Sequence, residues 1–372
     1  MKISIFNILV MVLVSFLFSC KQENKKQENT IVIQFDSAEN GRFDVLHMEY
    51  IPLETTEQSL IGEISKIIYK NERFYILDKY QSRSVLIFDR NGKFVSSINK
   101  VGEGPGEYIE IMDMDIDDAN NIYIADNGKT DIIKYIQADP DRYETFHVGE
   151  HFFEFCYLKD NTFVLKDLFG KNGRKAKLAI YKTEENSIYT LLENNSDDIN
   201  EMDILRCSKK YLYRTKENVF YNDRFTSSVY NIEDDGTLSE LYTVASEKYI
   251  PRAELKNLER NPQKFISENR YIKDVVGLYE NDRYFICMPY ITPSATYLVV
   301  PKKDPQTALK IDLLEKDDLH GVSLIEAVAD NKFVAIMNYT EKQATKLKNN
   351  PTLKSWKEES NPVLVLFDID VK

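Results

Sequence analysis

Beyond residue 66 the chain alternates short apolar runs with polar turns, and one arrangement recurs: a turn containing Asn or Asp, then a strand opened by an aromatic or branched residue. The copies are Asn71-Glu72-Arg73-Phe74, Asn120-Asn121-Ile122, Asp160-Asn161-Thr162-Phe163, Glu217-Asn218-Val219, Asn281-Asp282-Arg283-Tyr284 and Asp330-Asn331-Lys332-Phe333. Taking Phe74, Ile122, Phe163, Val219, Tyr284 and Phe333 as equivalent, the spacings are 48, 41, 56, 65 and 49 residues. Each interval has room for about four short strands, as in one blade of a propeller.

A second marker keeps step with the first. Asn91-Gly92, Asp139-Pro140, Glu185-Asn186, Asp235-Gly236 and Asp304-Pro305 each follow the first marker by 17 to 23 residues. Asn-Gly and Asp-Gly tolerate positive φ and favour tight hairpins. Between the markers apolar and polar residues alternate, as at Val85, Ile87 and Phe94, which is the period of a strand. The 23 Tyr and 20 Phe suit sheets packed face to face. The expected fold is therefore all-β: a six-bladed β-propeller with four-stranded blades. The sixth copy supplies only three strands before the chain stops, the last being Val363-Leu364-Val365-Leu366-Phe367. An unpaired edge is an aggregation hazard, so Val45 to Ile51 is expected to close the last blade as its fourth strand.

The first residues predict export. Lys2 supplies a positive charge, Ile3 to Phe18 are mostly apolar, and Leu17-Phe18-Ser19-Cys20 resembles a bacterial lipobox, in which the chain is cut before the cysteine and the thiol is acylated. Residues 1–19 are thus expected to be a lipoprotein signal peptide, residues 20–29 a disordered tether, and residues 30–372 the propeller. Cys20 is the expected lipidation site, placing the protein in the cell envelope, anchored in the outer membrane. Removing residues 1–19 leaves 47 basic against 60 acidic residues, a net charge of −13. Such a surface repels nucleic acid. The remaining cysteines, Cys156, Cys207 and Cys287, are too far apart for a disulfide framework or a zinc site and are expected to be free thiols.

Lys100-Val101-Gly102-Glu103-Gly104-Pro105-Gly106-Glu107-Tyr108, Asn121 to Asp126 and Ile51-Pro52-Leu53-Glu54 together resemble a family of exported six-bladed β-propeller lipoproteins related to NHL-repeat proteins. The resemblance implies fold and export and leaves chemistry open.

Four motifs invite a functional reading and fail its requirements. Gly102 to Gly106 lacks the Lys-Ser/Thr of a phosphate loop and opens no helix, so a tight turn between blades is expected. Asp113-Met114-Asp115-Ile116-Asp117-Asp118 has Asp118 where a calcium loop needs Gly, and is expected to be an acidic strand entering a turn. His147-Val148-Gly149-Glu150-His151 matches an inverted zinc-protease motif, but that chemistry needs a helix and these residues predict strand, turn, strand. Asp78, Asp126, Asp167 and Asp223 follow the second strand of successive blades and are expected to cap turns.

Two insertions locate the site. Residues 249–270 and 340–358 have helical patterns, the first between blades four and five, the second between strands two and three of blade six. In an up-and-down blade these two classes of loop emerge on one face, and binding usually resides in such loops. The candidate ligand-binding residues there are Arg83, Lys100, Glu107, Tyr108, Lys129, Arg174, Arg224, Tyr290 and Tyr339. The expected function is binding or scaffolding by a monomeric, membrane-anchored propeller that holds a protein partner or a small extracellular ligand, without a cofactor. The alternative is a metal-assisted hydrolase or lyase holding a divalent ion in the channel, with His147, Glu150 and His151 as weak candidate ligands and no catalytic residue identifiable.

Overall fold

The computed structural model describes residues 30–372 except 171–172, 194–209, 217, 252–253, 255–261, 290–295, 314–315 and 320. Ile31–Lys372 forms one compact unit. This unit is a six-bladed β-propeller, and every expected blade is present. Blade one comprises Lys66–Lys70, Arg73–Asp78, Ser84–Asp89 and Phe94–Ile98, and blade two Ile111–Ile116, Ile122–Asp126, Asp131–Tyr135 and Tyr143–His147. Blade three comprises Glu154–Tyr157, Thr162–Gly170, Gly173–Lys182 and Ser187–Glu193. Blade four has Leu212–Arg214, Val219–Asn222, Ser228–Ile232 and Leu238–Ala245, and blade five Val275–Glu280, Tyr284–Pro289, Thr296–Pro301 and Leu309–Asp312.

Both sequence markers have a backbone cause. At the first, Asn71 and Glu72, Asp160 and Asn161, and Asp330 and Asn331 all have positive φ, the geometry of a two-residue turn whose twist matches the flanking strands. At the second, Gly92 and Gly236 have φ of 83° and 87°. The first marker joins the innermost strand to the second, and the second marker joins the two outer strands.

Blade six closes the ring as expected. Val322–Ala329, Lys332–Met337 and Val363–Val371 are completed by Phe43–Pro52, antiparallel to Val363–Val371, with Leu364 opposite Ile51 and Val371 opposite Phe43. A bulge between Leu366 and Asp368 coincides with His47 at φ 51°. The segment ahead of this strand adds something the repeat pattern does not predict. Ile31–Gln34 lies parallel to Leu238–Ala245 as a fifth strand of blade four, and Glu39–Asn40 lies parallel to Leu309–Asp312 as a fifth strand of blade five. Residues 31–52 therefore run as a belt across the outer edges of blades four, five and six in turn.

The core sits in the wedges between blades. Ile67, Phe74, Ile76 and Phe88 of blade one pack on Val334, Leu364 and Leu366 of blade six, and Tyr123 of blade two meets Phe163 of blade three edge-on at 5.4 Å. Each fully buried Phe contributes roughly 1.5–3 kcal/mol by leaving water. Each insertion contains a helix: Pro262–Asn269 in the first, and Glu341–Lys346, capped by Thr340, in the second. Leu353 and Trp356 bury the second insertion against the core.

Candidate functional site

The innermost strands carry charge where a central strand would ordinarily be apolar. On Ile111–Ile116, Asp113 and Asp115 stand two residues apart and so share a face. Their carboxylates accept the backbone N–H groups of Phe155 at 3.0 Å and Tyr157 at 2.8 Å, on the innermost strand of the next blade. Buried carboxylates also need counter-charges. Lys66 of blade one supplies one, 2.7 Å from Asp113, and Arg214 of blade four the other, 2.9 Å from Asp115. Burial pushes Asp115 upward, but Arg214 and Lys66 outweigh it and hold the group below the usual carboxylate value. This network spans four blades.

Beside it opens a cavity of about 380 Å³, lined by the first residues of the innermost strands and by the loops between second and third strands. The cavity belongs to the end of the propeller that carries the insertions, while Arg214, the last residue of its strand, extends the network towards the other end. Within the cavity wall, Lys166 contacts Asp167 and lies 3.8 Å from Glu154, which accepts the N–H groups of Tyr211 and Leu212, each at 2.9 Å. Arg224 donates to Asp167 at 3.1 Å and lies over the Tyr211 ring. Lys210 places its ammonium 5.2 Å from the centre of the Tyr213 ring. Burial, then the nearby charge of Lys66, lowers the Lys210 pKa.

A pattern described as "Domain of unknown function (DUF4934)" matches residues 45–368. The chain belongs to this family. None of the curated proteins matches at a significant level. Among solved structures, the DUF4934 propeller is similar to a protein from Bacteroides fragilis NCTC 9343 named only for its expected export. That similarity has a TM-score of 0.71 at 16% identity, over 92% of this chain and 99% of that one. It is also similar to a luciferin-regenerating enzyme, with a TM-score of 0.45 at 8% identity over 88% and 97% of the two chains, and to a streptogramin B lyase, with 0.41 at 11% over 79% and 80%. At these identities the likeness concerns the fold alone.

Of the nine candidate ligand-binding residues of the DUF4934 propeller, Arg224 lines the cavity. Tyr108 is a correction, because its ring is fully buried. Its hydroxyl donates to the Arg83 carbonyl at 2.7 Å and pins the turn between blades one and two. Arg83 itself donates to the Ile109 carbonyl. Lys129 donates to the Gly104 and Glu107 carbonyls at 3.1 and 2.7 Å, and Glu107 accepts the Gly104 N–H. Lys100 pairs with Asp141, 2.8 Å away in the turn joining the outer strands of blade two, so its charge lies away from the channel mouth. Tyr339 packs edge-on against Trp356. Tyr290, Cys20, Cys207 and the Arg174 side chain fall outside the described residues.

The remaining motifs resolve by contact. A Cβ at Gly102 would lie 2.1 Å from the Glu107 carboxylate, and Gly106 at φ 70° passes against the Tyr143 ring, so the glycines serve a tight turn. His147 ends a strand and bonds Asp131, His151 bonds Asn127, and Glu150 pairs with Lys175. These three residues thus have separate partners. Among the described residues no group of three or more His, Cys, Asp or Glu side chains could hold a metal. Asp78 and Asp126 cap turns as expected, accepting from Gln81 and Gly128. The Asp167 carboxylate pairs with Lys166 and Arg224, and that of Asp223 with Lys177. Cys156 and Cys287 are free and buried, and burial pushes the Cys156 thiol up to about 12. The cavity residues missed from sequence are Lys66, Glu154, Lys166 and Lys210. Their one visible signal is Lys166-Asp167, an opposed charge pair inside the apolar run Phe163 to Phe169.

Proposed function

We propose that this chain is a cell-envelope binding lipoprotein, acylated at Cys20, whose propeller holds a small extracellular solute at its loop-rich channel mouth. The observation that carries the reading is the 380 Å³ cavity, which is of small-molecule size and has converging polar groups set on rigid innermost strands. The lipobox-like Leu17-Phe18-Ser19-Cys20 supports the anchor. The relation to NHL-repeat lipoproteins rests on the sequence resemblance. A metal-dependent hydrolase or lyase finds no support in the donor set, since the channel carboxylates Asp113 and Asp115 are engaged by Lys66 and Arg214.

The test is native mass spectrometry of the purified protein after exposure to the small-molecule fraction of spent growth medium, alongside Ser65→Trp, which fills the cavity from its rim. A bound solute retained by the parent and lost from the folded variant is the expected result. Identical solute profiles for both proteins would overturn the reading.

A further inference from the structure

The cavity is not evenly balanced between donors and acceptors. Three of its four acids are committed: Asp113 takes Lys66 and two backbone N–H groups, Glu154 takes two backbone N–H groups, and Asp167 takes Lys166 and Arg224. Among its cations, Lys210 and Arg224 retain donor capacity. Among the described residues no carboxylate pairs with Lys210, whose ammonium meets only the face of Tyr213. Arg224 has a side chain 7% exposed, spends one nitrogen on Asp167, and keeps its Nε buried with no hydrogen-bond partner. A buried guanidinium donor left without an acceptor is uncommon in a native fold and marks a place where a water or an ion belongs. The wall also carries Lys66, Lys79, Lys166, Lys210 and Arg224 against Glu63, Asp113, Glu154 and Asp167, an excess of one positive charge. That local excess has the sign opposite to the net charge of −12 of the whole chain.

We propose that the solute of this cavity carries an oxyanion, a carboxylate or a phosphate, received by Lys210 and Arg224. The inference rests on the binding reading above and adds the chemistry of the ligand. An oxyanion presents several lone pairs to donors from two directions, which suits an ammonium and a guanidinium held apart on the start of blade four and its loop. A neutral sugar could meet the Arg224 Nε through a hydroxyl but would bring no charge to the two cations, and an amine would add a like charge.

Glucuronate, glucose 6-phosphate and glucose, titrated calorimetrically into the purified full chain, test this directly. Binding of glucuronate alone assigns a carboxylate, binding of glucose 6-phosphate alone assigns a phosphate, and binding of both assigns the shared charge. In each case Lys210→Met weakens binding on the order of tenfold or more, the scale of a lost charge-assisted contact, while its circular dichroism stays that of the parent. Equal affinity for glucose and the two anions, or no binding of either anion, overturns the inference. So does an anion affinity unchanged in Lys210→Met. If a neutral solute is retained in the Ser65→Trp comparison while both anions fail here, the binding reading stands and the oxyanion falls. Identical solute profiles there remove the binding reading itself.

Discussion

Arg214 and Asp115 come from blades four and two, yet their side chains meet 2.9 Å apart beside the free edge of blade three. Because Asp115 is held below the usual carboxylate value, it stabilises the fold above its unfolded pKa, and that contribution disappears as pH falls through the lower, folded one. Replacing Arg214 by Gln removes the largest cause that lowers the group and leaves the upward pull of burial, so the folded Asp115 pKa rises and the variant is expected to unfold at higher pH than the parent, with a stability loss at neutral pH of about 3–5 kcal/mol. Far-UV circular dichroism against pH checks the first and urea unfolding the second, and an unmoved acid midpoint would count against the pairing. None of this was legible in the sequence, because a lysine at the start of one strand and an arginine at the end of another reveal a common axis only when the blades are arranged around it. Asp113 and Asp115 could be recognised as an acidic strand face; their partners could not.

At the scale of elements, the six blades were legible because their turns impose a backbone requirement that few residues meet. Asn, Asp and Gly at positive φ leave a mark in sequence even where the strands have diverged. The belt left no such mark. Ile31–Gln34 and Glu39–Asn40 are short, and their partners lie more than 200 residues away, so neither periodicity nor turn chemistry announces them. The belt nevertheless buries Ile33 and Phe35 against blades four and five. Phe35→Ala is expected to cost about 3–5 kcal/mol, the usual range for emptying a buried Phe site, whereas Val32→Ala, on the exposed face, should stay within about 0.5 kcal/mol. Denaturant midpoints of the two variants compare them, and equal effects would mean that the belt is only loosely applied.

At the scale of the whole molecule, both insertions and the cavity share one end of the propeller, and of the nine named residues Arg224 lines that cavity. Glu107 and Tyr108 belong to the glycine-rich turn and fasten it, Lys129 holds that turn from the neighbouring loop of blade two, and Lys100 pairs with Asp141. The ring offers a test of its own. Val363–Val371 hydrogen-bonds both to Lys332–Met337 and to Phe43–Pro52, so a chain ending at residue 362 leaves two sheet edges open. Such a chain is expected to lose its cooperative unfolding transition and to bind a hydrophobic dye, and a sharp transition near that of the parent would show that the remaining sheets hold together without the seam.

The belt also sets an order of events. Residues 31–52 are made before any of the strands they pair with, whereas those strands, at 238–245, 309–312 and 363–371, are made late or last. Phe43–Pro52 must stay unpaired until the final residues arrive, and contacts so distant along the chain are slow to form. A chain made from its amino end thus carries its own check for completeness. Only a full-length one can fasten both ends, and an interrupted chain presents bare sheet edges to any protease it meets.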